Sequence, residues 1–261
     1  MAASLRELAE DVYAHLPPRP GSVRLETGSF VLKHRDTPHP VGGSALRVRL
    51  EDDAAAGVAE VRRWFAAQGR AEFTWHLASS TTPSDLKERL LALGAAPLEG
   101  FESSAAMALT DEPPRVDGVE LRELTTLAEF ELCEDIAAIA FGWGDGHRES
   151  AKAQLRAHWD ETDRRVWGAT GAFVDGELAA FANTAFLEDA VYLDGAATLP
   201  GARGRGLYRS LVHARWEQAV ERGTPALIVQ AGPMSEPILA QLGFRTVGAV
   251  EYLRDSSTLR S

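Results

Sequence analysis

Apolar residues recur at helical spacing through Leu5, Leu8, Val12 and Leu16 in the segment SLRELAEDVYAHL, residues 4–16. Pro17, Pro18, Pro20 and Gly21 end that helix, because proline lacks the amide a helix interior needs. Two strand-like runs follow, 22–33 and 44–50, split by the turn-rich DTPHPVGG. The spacing then predicts a helix near 54–68, a strand near 72–78, a helix over about 84–93 and strand material up to Leu109. The polar, Pro- and Gly-rich segment DEPPRVDG, 111–118, is the best candidate for a linker.

Beyond it VELREL reads as a strand and 125–141 as an amphipathic helix, followed by the Gly-rich bend GWGDG and a second helix near 149–163. GAFVDGELAAFANTAF reads as a hairpin turning at Asp175–Gly176. A strand at about 190–198 runs into GARGRG. A helix at 206–222, a strand at 225–230, a helix at 234–242 and a strand near 247–253 complete the pattern. Helices alternating with strands place the chain in the α/β or α+β class. The linker divides it into a smaller α/β N-terminal lobe, 1–110, and a C-terminal domain, 118–261.

A faint repeat links the halves. A helix ending at Gly69, EFTWHLA, PSDLKERLLALG and a last strand parallel a helix ending at Gly223, ALIVQA, SEPILAQLGF and a last strand. Duplication and chance likeness of short helix–strand–helix units both stand open on this pattern.

Composition narrows the functions. The 261 residues are 45% hydrophobic and 25% charged, which fits a folded globular chain rather than a disordered one. Asp and Glu outnumber Lys and Arg by 38 to 27, giving a formal charge of −11. That balance opposes sequence-independent nucleic-acid binding, which needs a basic face to neutralise phosphates. No run approaches the roughly 18 apolar residues of a membrane helix, and MAASLRELAED is acidic where a secretory signal would be basic and then apolar. A cytoplasmic protein with neither membrane nor nucleic-acid partner is therefore expected. Cys133 is the single cysteine, which excludes an intramolecular disulfide and a Cys-based zinc cage. With no HExxH or Asp-rich calcium loop either, no metal is expected. Lysine is confined to Lys33, Lys87 and Lys152, and arginine and alanine are abundant, which suggests a GC-rich bacterial genome.

The segment TLPGARGRGLYRSL, 198–211, carries the clearest chemistry. It joins a predicted strand to a predicted helix, where unpaired backbone N–H groups and the helix dipole make an anion site. Gly204 and Gly206 let phosphate oxygens approach the backbone closely, and Arg203, Arg205 and Arg209 add local positive charge. A Walker loop is excluded because Leu207 follows Gly206 where Lys is required. A GxGxxG fingerprint from Gly204 is excluded because Arg209 holds the third glycine position.

The loop resembles the pyrophosphate loop of the GNAT superfamily of N-acetyltransferases, Arg/Gln-x-x-Gly-x-Gly/Ala, with Arg203, Gly206 and Tyr208 at its defined positions. The likeness runs through 118–253 and includes Pro200, the upstream hairpin and the LGF ending of SEPILAQLGF. It implies a mixed, mostly antiparallel central sheet flanked by helices. It also implies acetyl-CoA as co-substrate, held by Arg203, Gly204, Arg205, Gly206, Leu207 and Tyr208. A backbone amide around Ala197, Thr198 and Leu199 would polarise the thioester. The implied reaction is transfer of the acetyl group to the amine of a small molecule by direct attack. A non-catalytic acyl-CoA-binding or regulatory module and a protein N-acetyltransferase are the alternatives. The chain departs from the family in Tyr208 for Gly or Ala, Gly232 for a frequent Asn, and Leu239 where a thiolate-protonating Tyr often stands.

The N-terminal half has the acidic RVRLEDDAAAGVAE where such a loop would lie. It resembles a degenerate acetyltransferase lobe that completes the sheet, shapes the acceptor pocket or forms a homodimer. One acetyl-CoA site per chain is expected.

Several side chains carry two readings. Asp194, on the strand before the loop, shares a side with Thr198 by period-two counting; it either orients or deprotonates an amine or is an ordinary strand-end Asp. Ser235 is a catalytic candidate or a helix cap. Tyr208 faces the thiol or packs. Trp143, Asp145 and His147 sit in the bend where this fold builds its acceptor pocket, or on a plain surface turn. His76, His213 and Cys133 read as structural. Arg209, Arg215, Glu217 and Glu221 read as a solvated helix face. Replacing Gly206 by a bulky residue is expected to block phosphate approach while leaving the fold intact.

Overall fold

The computed structural model describes residues 3–35, 42–50 and 53–256. The predicted first helix is two short ones, α1 (Leu5–Glu10) and α2 (Val12–His15), interrupted at Asp11, whose carboxylate accepts from Arg49 Nη2 at 2.7 Å. The run 22–33 is a hairpin rather than one strand. β1 (Ser22–Glu26) and β2 (Val31–Arg35) pair antiparallel, and Thr27 Oγ1 accepts from the amides of Ser29 and Phe30 to close the turn. Most of the turn-rich DTPHPVGG falls outside the described residues. β3 (Gly43–Leu46) pairs antiparallel with β2. α3 (Ala54–Ala67) then crosses over to β4 (Phe73–Ala78), which runs parallel to β3 through Ser44–Thr74 and Ala45–Trp75. α4 (Leu86–Ala92), the two-residue β5 (Ala96–Pro97) and β6 (Ser103–Leu109) follow.

In the second half β7 (Glu120–Glu123) leads to α5 (Leu127–Phe141) and α6 (Asp145–Ala157). Thr126 and Glu129 form a reciprocal capping box at the start of α5, and Gly142 ends it in the left-handed conformation. The amide of Thr126 and the Arg122 guanidinium hold the Glu129 carboxyl down to about 2. β8 (Trp167–Val174) and β9 (Glu177–Phe186) turn at Asp175–Gly176, both with positive φ as a two-residue hairpin turn of this hand requires. β10 (Val191–Thr198), α7 (Leu207–Glu221), β11 (Leu227–Ala231), α8 (Glu236–Gln241) and β12 (Arg245–Asp255) complete the chain.

These elements form two compact units that a single cut of the chain does not separate. One takes Arg6–Ala106, Gln230–Glu236 and Thr246–Ser261; the other takes Met1–Leu5, Met107–Val229 and Pro237–Arg245. In the first, β12 pairs antiparallel with β4 from Val250–Ala78 to Asp255–Phe73. Its core stacks Phe65 on Phe73, ring centroids 4.0 Å apart. Asp255 is fully buried there, accepting from Trp75 Nε1 and Arg62 Nε, both at 2.9 Å. A buried carboxylate needs such partners to offset its lost hydration. In the second unit α5 packs on one face of β8–β10 through Cys133, Ile136, Phe181 and Ala197. α7 covers the other face through Leu207, Leu211, Ala180 and Ala182. β1–β2, β2–β3, β4–β12, β7–β8, β8–β9 and β9–β10 pair antiparallel while β3–β4 and β10–β11 pair parallel, so the expected mostly antiparallel architecture with flanking helices holds.

Candidate functional site

The site grows from an irregularity in β10. Leu193 pairs with Thr184 and Ala196 with Ala182, so two residues, Asp194 and Gly195, stand opposite the single Asn183. One extra residue is a β-bulge, which disrupts the ladder and bends the strand; Gly195 takes φ +86 there, a left-handed value that costs glycine no Cβ clash. On its other edge β10 pairs with β11 only through Val191–Leu227 and Tyr192–Ile228. The parallel register therefore stops where the bulge begins.

Register also sorts the side chains. Leu193, Ala196 and Thr198 oppose Thr184, Ala182 and Ala180, on the face covered by α7, while Tyr192 and Ala197 oppose Ala185 and Phe181 on the α5 face. Asp194, opposite Asn183, belongs to the α5 face. The period-two expectation that Asp194 and Thr198 share a side is thus overturned, because the bulge shifts the alternation by one residue.

After Thr198 a 3₁₀ turn, Pro200–Ala202, leads to Arg203 and the two left-handed glycines Gly204 (φ +79) and Gly206 (φ +78). Gly206 is the N-cap of α7 and has no side chain with which to cap it. The first intrahelical bond at this end is Ser210 N to Gly206 O at 3.0 Å, so the amides of Leu207, Tyr208 and Arg209 precede the helical ladder and point out of the helix end. The helix dipole places a partial positive charge at the same point. The Arg203 guanidinium reaches the carbonyl of Ala140 on α5 at 3.4 Å and that of Arg209 the Gln241 side chain on α8 at 3.1 Å.

The matching turn of the first unit is built differently. Asp53 caps α3, its Oδ1 accepting from Ala56 N at 3.0 Å. A carboxylate already occupies that helix end, and it repels a second anion.

The remaining predicted residues are dispersed. Tyr208 turns along α7 toward Arg215, and burial pushes its phenol up while the neighbouring guanidinium opposes the shift. Ser235 lies in the other unit, in a turn where its Oγ donates to the carbonyl of Gly232 at 3.2 Å. Trp143 occupies the bend with 37% of its surface exposed, between Phe141 at 5.1 Å and His147 at 4.5 Å. The second helix starts four residues earlier than its apolar spacing suggested. Asp145 and His147 are therefore in the first turn of α6 rather than in a loop, and Asp145 pairs with Arg148 at 3.1 Å. His213 is buried against Glu112 at 3.3 Å and Glu217 at 3.7 Å. Cys133 is buried in the α5 core, which pushes its thiol up and away from reactivity. Leu239 is fully buried on α8. Arg215, read as part of a solvated face, is only 1% exposed. Helical period alone did not show that this stretch of α7 is covered nearly all round. No group of three or more potential metal ligands occurs among the described residues, and none of their helices is long and apolar enough to cross a membrane.

Comparisons with known proteins bear on this arrangement. The acetyltransferase (GNAT) family model matches residues 130–244, the span from α5 to the LGF ending. No curated protein matches the chain. Among solved structures, a GCN5-related N-acetyltransferase from Kribbella flavida superposes with a TM-score of 0.72 at 19% identity, over 98% of this chain and 96% of that one. A tandem GNAT protein from the clavulanic acid biosynthesis pathway gives 0.64 at 15% identity, over 97% and 88% of the two chains. A functionally unknown conserved protein from Staphylococcus epidermidis gives 0.65 at 12%, over 90% and 94%. At such identities the likeness speaks for the fold. Residues 130–244 are accordingly a domain of the GNAT acetyltransferase family, and the chain has the fold of the GCN5-related N-acetyltransferases.

Proposed function

We propose that the chain is a cytoplasmic N-acetyltransferase that moves the acetyl group of acetyl-CoA to the amine of a small molecule by direct attack on the thioester. The observation that carries this reading is the bulged strand β10, which parts from β11 after Tyr192 and leads through the Pro200–Gly206 turn to the uncapped N-terminus of α7. The open amides of Leu207, Tyr208 and Arg209, the backbone of Gly204–Gly206 and the Arg203 and Arg205 charges suit a pyrophosphate. The backbone amide of Ala197 or Thr198 would polarise the thioester carbonyl and stabilise the oxyanion formed when the amine attacks. The Leu199 amide drops out of that role, because it donates to the carbonyl of Ala179 at 2.9 Å. Nitrogen forms its bond to the carbonyl carbon, the carbon–sulfur bond breaks, and CoA leaves as a thiolate. Asp194 draws the amine proton away directly or through water, and Trp143, Asp145 and His147 in the α5–α6 bend are the residues we assign to acceptor binding. The thiolate takes a proton from Tyr208 or water. Ser235 ranks behind them, since its hydroxyl already donates to Gly232. The experiment is a CoA-release screen against a broad amine panel, and release with no amine in it would overturn the reading.

Leu239, buried where a tyrosine acid often stands in the resembling family, is the feature that favours a non-catalytic acyl-CoA-binding module instead. Tight acetyl-CoA binding without CoA release on any amine is that module's signature.

Two further results are expected. Tyr208→Phe should lower turnover only about tenfold or less, because water can protonate a thiolate, and steady-state kinetics with the best amine measures it. Calorimetric titration should give one acetyl-CoA per chain, since Asp53 occupies the helix end of the other unit. We assign that unit, with Arg6–Ala106 at its heart, to a degenerate acetyltransferase lobe. Its β3–α3–β4 crossover has the parallel, two-residue pairing of β10–α7–β11, which supports the duplication. A stoichiometry of two would overturn the assignment.

A further inference from the structure

Arg215 is a buried cation without a carboxylate. Only 1% of it is exposed; Nε donates to Leu211 O at 3.0 Å and Nη1 to Asn183 O at 3.4 Å, and the Tyr208 hydroxyl is its one side-chain hydrogen-bonding neighbour. Its neighbour in charge is the neutral Tyr208 phenol, and burial holds the guanidinium down to about 10, well below the ordinary arginine value. A guanidinium buried this way is costly, and an apolar side chain of similar length fills such space with less penalty. Leu211 O lies on its own helix, so the one backbone group it reaches on another element is the carbonyl of Asn183. Asn183 is the residue that faces both Asp194 and Gly195 across the bulge. Bulges interrupt ladder bonding, and a donor with no acceptor capacity of its own is suited to hold a carbonyl at that interruption.

We infer that Arg215 is a positioning residue: through Asn183 it fixes the β10 bulge, and with it the aim of the Ala196–Thr198 backbone at the acyl donor. The inference rests on the acyl-CoA reading of this strand given above. The bulge is what turns Ala197 and Thr198 out of the straight register, and small displacements of a backbone donor weaken the charge-assisted hydrogen bonds on which acyl transfer depends. A residue retained only for stability would be expected to show the opposite balance of effects from one retained to aim the strand.

The test compares Arg215→Met and Arg215→Lys with the wild type in thermal unfolding, acetyl-CoA titration, steady-state kinetics and amide hydrogen exchange. Arg215→Met should unfold at the wild-type temperature or above, exchange its 194–198 amides at least tenfold faster, and lose tenfold or more in kcat/KM for acetyl-CoA. Arg215→Lys, which keeps the charge but reaches one carbonyl at a time, should recover part of both losses. A folded Arg215→Met with wild-type exchange over 194–198 and wild-type kinetics overturns the inference. So does a Met variant that unfolds early with faster exchange spread over the whole unit, since that marks a purely structural role. If Arg215→Met does not fold, the same exchange and kinetic readouts on Arg215→Lys decide: unchanged values overturn the inference, and localised loss supports it. Hydrogen exchange is read without any substrate. Failure of wild-type protein to bind acetyl-CoA would count against the acyl-CoA reading, whereas unchanged exchange in the variants counts against Arg215 alone.

Discussion

Asp194→Asn should lower the turnover rate at neutral pH by about 10²–10⁴-fold, the usual contribution of a positioned general base, with acetyl-CoA affinity nearly unchanged. An ammonium has no lone pair and cannot attack a thioester, so something must accept its proton before or during bond formation. Asp194 stands half-buried in the β10 bulge, on the face shared with α5 and opposite the one covered by α7. An asparagine keeps the volume and the hydrogen-bonding reach but takes no proton, so the loss should fall on kcat rather than on KM for acetyl-CoA. The deficit should narrow as pH rises toward the amine's own pKa, since a neutral amine needs less help. Full turnover of the variant at neutral pH would falsify the assignment, and solvent or His147 would become the better base.

Gly206→Val should all but abolish acetyl-CoA binding and also destabilise the fold. Two separate effects act at this position. Valine in a left-handed conformation costs about 1–2 kcal/mol, and Gly206 has φ +78. A Cβ placed there would also lie 2.8 Å from Val116 Cγ1 on the 111–118 linker, an overpacked contact of the kind that costs about 1–3 kcal/mol. The expectation that a bulky residue here leaves the fold intact is therefore overturned. The linker rests on this glycine, which the linear pattern gave no way to know. For the ligand, losing two charge-assisted amide contacts at about 1.5–3 kcal/mol each corresponds to a drop of 10² or more in affinity. Gly204→Ala separates the two effects, because Gly204 has φ +79 but nothing within 4 Å of the added carbon. It should cost less stability, and calorimetry on the folded variant should still show weakened binding. Unchanged acetyl-CoA affinity in a folded Gly206→Val protein would remove this loop from the cofactor site.

Local chemistry in the chain determined most of the elements and the loop. The Asp175–Gly176 turn, the strand–loop–helix from Val191 to Glu221 and the glycines at 204 and 206 were readable because each depends on neighbouring residues: a turn needs positive φ, a helix end needs open amides. The resemblance around Arg203, Gly206 and the LGF ending pointed to the acetyltransferase family for the same reason, since a phosphate loop is a contiguous motif. What the tertiary structure decided is non-local. Whether β12 joins β4 is a pairing between residues from Val250–Ala78 to Asp255–Phe73, at opposite ends of the chain, and no period in the chain encodes it. The bulge at Asp194–Gly195 is fixed by its register with β9, so the face of Asp194 could not be counted from β10 alone. Arg215 follows the spacing of a solvent-facing helix residue, yet the sheet beneath α7 covers it. Its charge and helical position were visible in the sequence; its burial against Asn183 depended on which strand the fold laid under that turn of the helix.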